Sequence, residues 1–347
     1  RAGVDPERCR PRAPGRLHQD GGPMIKYLIN RIVLMVVTLF VLASLMFFLF
    51  RMLPGDPTMT VISSALNPKA QEEMKRQYGL DKPLHEQYAA YMRNIVALDF
   101  GYSFQHNRKV SDMISGRLLN TILLILPSMV AAYALGVVGG ALIAWKRGGK
   151  LEIGTVIVST AFQSAPVFWL SMLAIFVFSV HLDLFPLGHI VSPGMHHGKS
   201  QWAIYFSLDF LHHLALPFIV NTLYNLCFPL LLMRSSMLET LGEDYVELCR
   251  MKGLPERKII YNHAMRNSFL PIATTLPLIL GWAVAGSVVI ETVFSWPGLG
   301  LLMVEAVQRS DYPLVQACFL LIAVLTIVGN FVADLLYGVL DPRIVYE

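Results

Sequence analysis

Charge is what this chain lacks most. Only 15% of its 347 residues are Asp, Glu, Lys or Arg, whereas a soluble domain carries about 25%. Hydrophobic residues make up 54%, which excludes an ordinary water-soluble fold. Cysteine is scarce as well. Cys9, Cys227, Cys249 and Cys318 show neither a CxxC pair nor metal-ligand spacing, so no disulfide framework or thiolate metal site can be read. No HExxH, Ser-His-Asp or paired-carboxylate pattern stands out. One tripeptide, Gly198-Lys199-Ser200, resembles the end of a phosphate loop, but the first glycine of that loop would fall at Pro193. Proline has no N–H to give an amide cradle.

What the chain has is uninterrupted apolar length. Six runs carry no charge: Ile32–Phe50, Leu118–Trp145, Ile153–Val180, Leu214–Met233, Asn267–Ile290 and Pro313–Ala333. A helix needs about 20 apolar residues to cross a bilayer. Inside lipid each backbone group must be bonded within its own segment, so these runs predict helices. The expected fold is an all-α polytopic membrane protein with six transmembrane helices. Residues 1–23 are rich in Pro, Gly and Arg without an apolar period, and read as a disordered or non-native extension. Met24 then opens a single membrane domain, 24–347.

Lys and Arg in short loops set orientation. The segment 146–152 has three basic residues and 234–266 has six, against one each in 181–213 and 291–312. Both termini, 146–152 and 234–266 are therefore expected in the cytoplasm. The long segment 52–117 is expected outside and partly helical. Asn67-Pro68 begins one amphipathic helix that Gly79 ends. A second would set Leu84, Tyr88, Tyr91, Ile95 and Leu98 on one side before Gly101. The pair would cap the outer mouth.

The helix interiors also lack ionisable residues, which ion-driven carriers need. Neutral polar residues remain there: Asn120, Gln163, Ser164, Asn221, Asn225 and Ser287, with Glu291 bounding its run. They could line a polar pathway or hydrogen-bond between helices. Six of the ten histidines lie in 181–213, and His196 and His197 are the positions a metal ion would use. No carboxylate or cysteine stands at tight ligand spacing beside them, so no metal site is assigned.

The exception to the shortage of charge is EDYVELCRMKGLPERKIIYNHAMRN, residues 243–267, with nine charges in 25 residues. Glu243 and Asp244 suit a helix start, Arg250 and Lys252 suit its end, and Gly253 is placed to stop it. Pro255 can open a second short helix. Tyr245, Val246, Leu248, Cys249 and Met251 leave a partial apolar face that needs a partner.

Glu247-Leu248-Cys249, three residues and Gly253 match the spacing of the EAA loop of permeases in binding-protein-dependent ABC importers. Only Glu247 and Gly253 match by identity. Several stretches resemble the dipeptide/oligopeptide/nickel permease group of that family: 24–57 with its Leu-Pro-Gly-Asp-Pro end, 78–104, APVFWLSMLAIFVF at 165–178, ETVFSWPGLGLLMVEAVQRSDYPLVQA at 291–317, and 332–347. The resemblance covers nearly all of 24–347. It implies a bacterial inner-membrane subunit, forming half of a pathway for di- or oligopeptides. It implies a second permease, two cytoplasmic ATPase subunits that hold ATP and Mg, and an external solute-binding protein, with no nucleic acid. It also implies that Glu247 and Gly253 dock on an ATPase. Glu243, Asp244, Leu248, Cys249, Arg250, Lys252, Arg257 and Lys258 complete the expected coupling surface. No catalysis is expected on this chain, and none of its residues is expected to bind a cofactor. The alternatives are a nickel or metal-chelate permease of the same group and, from another class, a membrane-embedded enzyme or stand-alone channel.

Overall fold

The computed structural model describes residues 22–52, 82–194 and 200–340; side chains are described for these except 22–28, 276–287 and 333–340. Regular structure in the described residues is helical, apart from one isolated bridge between Tyr102 and Lys109. Each apolar run folds as helix. The first forms α1 (Gly22–Met52), followed by α2 (Leu84–Val96). The second forms α3 (Val110–Trp145). The third forms α4 (Lys150–Ser164) and α5 (Val167–Ala174), which a π-helical stretch extends over Ile175–His181. A short α6 (Gln201–Tyr205) precedes α7 (Leu208–Leu241), which holds the fourth run. The charged block forms α8 (Asp244–Met251), α9 (Glu256–Lys258), a π-helical stretch (Ile259–Ala264) and α10 (Met265–Ser268). The last runs form α11 (Leu270–Val293) and α13 (Tyr312–Leu340), with α12 (Leu299–Gln308) between them.

Ile29–Met52, Val110–Trp145, Leu208–Leu241 and Tyr312–Val332 are each long and apolar enough to cross a bilayer. A fifth span results if α4 and the helix to His181 are counted as one. The molecule is thus an all-α polytopic membrane protein. The third run differs from expectation. It is not one helix, because the chain bends by 104° between Ser164 and Val167. Pro166 supplies the reason, since it has no N–H and disfavours helix at the residue before it.

The most extensive contact joins α3 to α7. Ala132, Gly136, Gly140 and Ala144 are buried at four-residue spacing along α3. A Cβ on Gly140 would collide with the Leu230 carbonyl and Met233 Cβ, and one on Gly136 with the Pro229 ring. In lipid, helix association depends on close packing rather than water exclusion, so small residues at the contact are the stabilising choice. Larger side chains share this region with the small ones: Met129, Tyr133, Met233, Met237 and Ile272 belong to one buried cluster that also takes in Ala141 and Ala144.

α7 does not stop where its apolar run stops at Met233. It continues to Leu241 and carries the charged block on its extension. Ser268 of α10 is fastened there: Ser236 Oγ donates to the Ser268 carbonyl at 3.0 Å, and Ser268 Oγ lies 2.8 Å from Thr240 Oγ1.

At the opposite end α2 packs on α1. Tyr88 OH lies 2.7 Å from Ser44 Oγ, and the Phe47 ring meets the rings of Tyr88 and Tyr91 at 5.3 and 5.4 Å. Burial pushes the Tyr91 phenol up to about 12, so it stays neutral. α2 ends at Val96; Leu98 lies beyond it with φ +55° and is exposed rather than part of the apolar side. The companion helix expected over 67–80 lies outside the described residues. Asp311, at the foot of α13, is buried and gathers the 103–105 turn. It accepts from Ser103 Oγ, and from the N–H groups of Phe104 at 3.1 Å and Gln105 at 3.3 Å.

Candidate functional site

The charged block is a packed unit with one free face. Val246, Cys249 and Ile259 are fully buried among themselves, with Leu241, Tyr245 and Leu254 packed around them. α8 closes through a Schellman arrangement. The Leu254 N–H reaches the Cys249 carbonyl at 3.3 Å, and the Gly253 N–H reaches the Arg250 carbonyl at 2.9 Å. That closure needs the left-handed region at Gly253, where φ is +71°. Nothing lies within 4 Å of a Cβ built there, so the demand for glycine is conformational and not steric. Arg250 Nε and Glu256 Oε1 meet at 3.1 Å across the Gly-Leu-Pro corner. Both are half exposed, so the pair contributes at most about 1 kcal/mol. Asn267 Nδ2 donates to Tyr245 OH at 2.8 Å and ties the second half of the block to the first. Burial raises the Tyr245 phenol, against the Asn267 bond and with help from nearby Glu243.

Sequence reasoning placed ten coupling residues here, and the structure divides them. Glu243, Asp244, Glu247, Leu248, Arg250, Lys252, Gly253, Arg257 and Lys258 are exposed. Cys249 is 1% exposed and belongs to the interior of the unit, so it cannot touch a partner. Of the apolar face expected from the sequence, Leu248 and Met251 are exposed and Val246 and Cys249 are buried, while Tyr261, which the sequence did not single out, is also exposed. Leu248 is 43% exposed, Met251 74% and Tyr261 49%. Exposed large apolar side chains in a charged segment, outside the apolar runs, point to a contact surface.

The residues expected along a pathway fall in three separate places. Asn120 and Glu291 come together at the opposite end, and both are buried, 3% and 0% exposed. Glu291 sits in a donor cradle. It accepts from Thr121 Oγ1 at 2.7 Å, the Gly300 N–H at 2.6 Å and the Leu301 N–H at 3.1 Å. Gly298 is required because a Cβ there would run into the Glu291 carboxylate. Thr121 Oγ1 accepts in turn from the Leu299 N–H at 2.7 Å. Both ends of the Asn120 amide are engaged: its Nδ2 donates to the Pro297 carbonyl at 2.8 Å, and its Oδ1 accepts from Tyr205 OH at 2.8 Å. Burial raises the Tyr205 phenol, which keeps the donating proton in place. Trp296 Nε1 donates to the Asn120 carbonyl at 3.0 Å. This network locks the 294–300 turn between α3, α11 and α12, and its two expected pathway residues face protein rather than an open path. The physical reason is that buried donors must be matched, and the turn's N–H groups take the carboxylate.

Asn221 and Asn225 pair within α7, where Asn225 Nδ2 donates to both oxygens of Asn221 at 2.8 Å. Gln163 and Ser164 stand exposed at the break after α4. The Ser287 side chain, His196 and His197 lie outside the described residues. Among the described residues no group of three or more His, Cys, Asp and Glu is placed to hold a metal ion. The sequence did not single out Thr121, Trp296 or Gly298 as partners of Glu291; only the dense Trp-Pro-Gly turn beside it gave a signal.

Two family models match the chain. The binding-protein-dependent transport system inner membrane component covers residues 136–346, and its N-terminal counterpart covers 24–125. The dipeptide transport system permease protein DppB of Escherichia coli K12 is 36% identical over 335 residues, covering 92% of this chain and 99% of the relative. The oligopeptide transport system permease protein AppB of Bacillus subtilis is 35% identical over 324 residues, covering 93% and 100%. The glutathione transport system permease protein GsiC of Escherichia coli O1:K1 is 34% identical over 324 residues, again covering 93% and 100%. With its spans and this match along nearly its whole length, the chain belongs to the family of binding-protein-dependent transport system inner membrane components.

Proposed function

We propose that this chain is the permease subunit of an ATP-driven importer of di- or oligopeptides, and that the charged block receives force from a cytoplasmic ATPase. One observation carries the proposal: a packed two-helix unit leaves Leu248, Met251 and Tyr261 exposed among the exposed charged residues of the same block. A solvated loop would turn such side chains inward. The ATPase docks on that face, with Glu247 and Gly253 fixing its shape and Arg257 and Lys258 at its rim. ATP and Mg are held by two ATPase subunits, not by this chain. A second, similar permease completes the pathway, and an external binding protein delivers the solute. In this reading the chain crosses the bacterial inner membrane six times, with both termini and the charged block in the cytoplasm. The names of the relatives favour peptides over a nickel or metal-chelate solute.

The test is co-purification of this chain with its ATPase partners, followed by peptide uptake in vesicles. Gly253→Asp should insert normally, abolish uptake and leave ATP hydrolysis uncoupled from it. Uptake that persists in this variant defeats the coupling role.

A further inference from the structure

Read as part of a membrane span that begins near Lys150, α4 brings the break after it to membrane depth. Its 15 residues carry the chain about 22 Å from Lys150, within a hydrocarbon layer of about 30 Å. The same point is the middle of the charge-free run 153–180. There the backbone is not self-sufficient. The Ala165 N–H still reaches the Ala161 carbonyl at 3.2 Å, but Pro166 has no N–H for the Phe162 carbonyl. Beyond it, the N–H groups of Trp169 and Leu170 both turn to the Pro166 carbonyl. The carbonyls of Phe162, Gln163, Ser164 and Ala165 accept no backbone hydrogen bond from a described residue. Lipid supplies no donors, so non-helical backbone at this depth is tolerated only inside protein or against water. Yet Gln163, Ser164 and Pro166 are exposed on this chain. An apolar groove of 430 Å³ between α4 and α7 has Leu151 and Leu230 among its walls and also Phe162, the residue before the break.

We infer that the break at Phe162–Pro166 is a solute station in the translocation path, where four open carbonyls and the Gln163 amide receive the N–H groups of an extended peptide. This rests on the permease reading above. A peptide stripped of water needs acceptors for its own amides, and backbone carbonyls provide them without regard to side chains. That suits a path passing peptides of many sequences, and broken helices at the midplane are how other membrane carriers place polar sites.

The experiment uses the permease–ATPase complex in nanodiscs, with trialanine supplied directly at millimolar concentration. Ser164→Cys is compared with Val36→Cys on α1, a 56% exposed position, for reaction with a charged methanethiosulfonate. A thiol in apolar surroundings forms little thiolate, so Ser164→Cys should react about tenfold faster than Val36→Cys if the break meets water. Trialanine should slow the reaction at position 164, and trialanine methylated on its amide nitrogens should not. Equal rates at the two positions overturn the inference, as does equal protection by the methylated peptide. Pro166→Ala gives a second measure. It restores an N–H for the Phe162 carbonyl, and uptake should fall while the complex still assembles; unchanged uptake argues against the station. A complex that fails to form with an ATPase defeats the permease reading itself, whereas an assembled, hydrolysing complex with a shielded position 164 defeats only this inference.

Discussion

Arg234 grips a single oxygen of Glu152, Oε1, through Nε at 2.8 Å and Nη2 at 2.5 Å. The other oxygen of Glu152 accepts from the Gly148 N–H at 2.6 Å. The pair joins the foot of α4 to α7 just where α7 leaves its apolar run. Removing one partner of such a pair is worse than removing both, because the survivor is left uncompensated. Arg234→Ala should lower the melting temperature of the detergent-solubilised protein by several degrees. Arg234→Lys should cost less, and the Glu152→Gln, Arg234→Gln double variant should recover part of the loss. A thermal-shift series reads all three.

Glu291 should tolerate its amide far better than a hydrocarbon. Glu291→Leu leaves the Thr121 hydroxyl and the Gly300 and Leu301 N–H groups without their acceptor. Each unmatched buried group costs about 1–3 kcal/mol, so the sum is expected to reduce yield of folded protein sharply. Glu291→Gln keeps one carbonyl oxygen for the turn and should be mild. Gly298→Ala should resemble Glu291→Leu, since its methyl enters the space of the carboxylate. Folded yield by size-exclusion chromatography separates the three.

Asp311 offers a local test at the same end. Asp311→Ala removes the shared acceptor of Ser103, Phe104 and Gln105. The expected loss is about 1–3 kcal/mol, felt mainly by the turn and not by the α3–α7 contact. Limited proteolysis should cut near residues 103–107 faster in the variant, with the spans still protected.

The docking face can be separated from its scaffold. Gly253→Ala forces an L-residue into the left-handed region at about 1–2 kcal/mol, and should weaken coupling without adding charge. Met251→Asp leaves the backbone alone and should reduce ATPase co-purification. Cys249→Asp places a charge inside the unit and should unfold it locally. Pull-down of the ATPase, scored beside uptake, orders these as partial, strong and total losses.

The apolar runs were legible because a bilayer demands length, and each became helix. The charged block was legible for a related reason: its Gly253 and Pro255 are local signals with local causes. What escaped was set by contacts distant in sequence. Nothing in the neighbourhood of Glu291 announces Thr121, 170 positions earlier. Asn120 was open to two readings, a pathway lining or a hydrogen bond between helices, until the Pro297 carbonyl and Tyr205 were placed against it. The break at Pro166 lay in plain sight, but it sits inside a run whose composition alone suggests one straight span.

The glycine and alanine seam between α3 and α7 has a mechanical consequence. At Gly136 and Gly140 the backbone of α3 lies directly against α7, with no room for a Cβ between them. The two helices are therefore held together at these points and would move as a pair. α7 alone, at 34 residues, is about 51 Å long, so a 10° tilt started at Leu241 moves the far end by about 9 Å relative to the near one. That far end is where Tyr205, Asn120 and Trp296 are bolted together. A push on one side of the membrane would arrive there as a swing, with Pro217 and Pro229 the points at which α7 can bend.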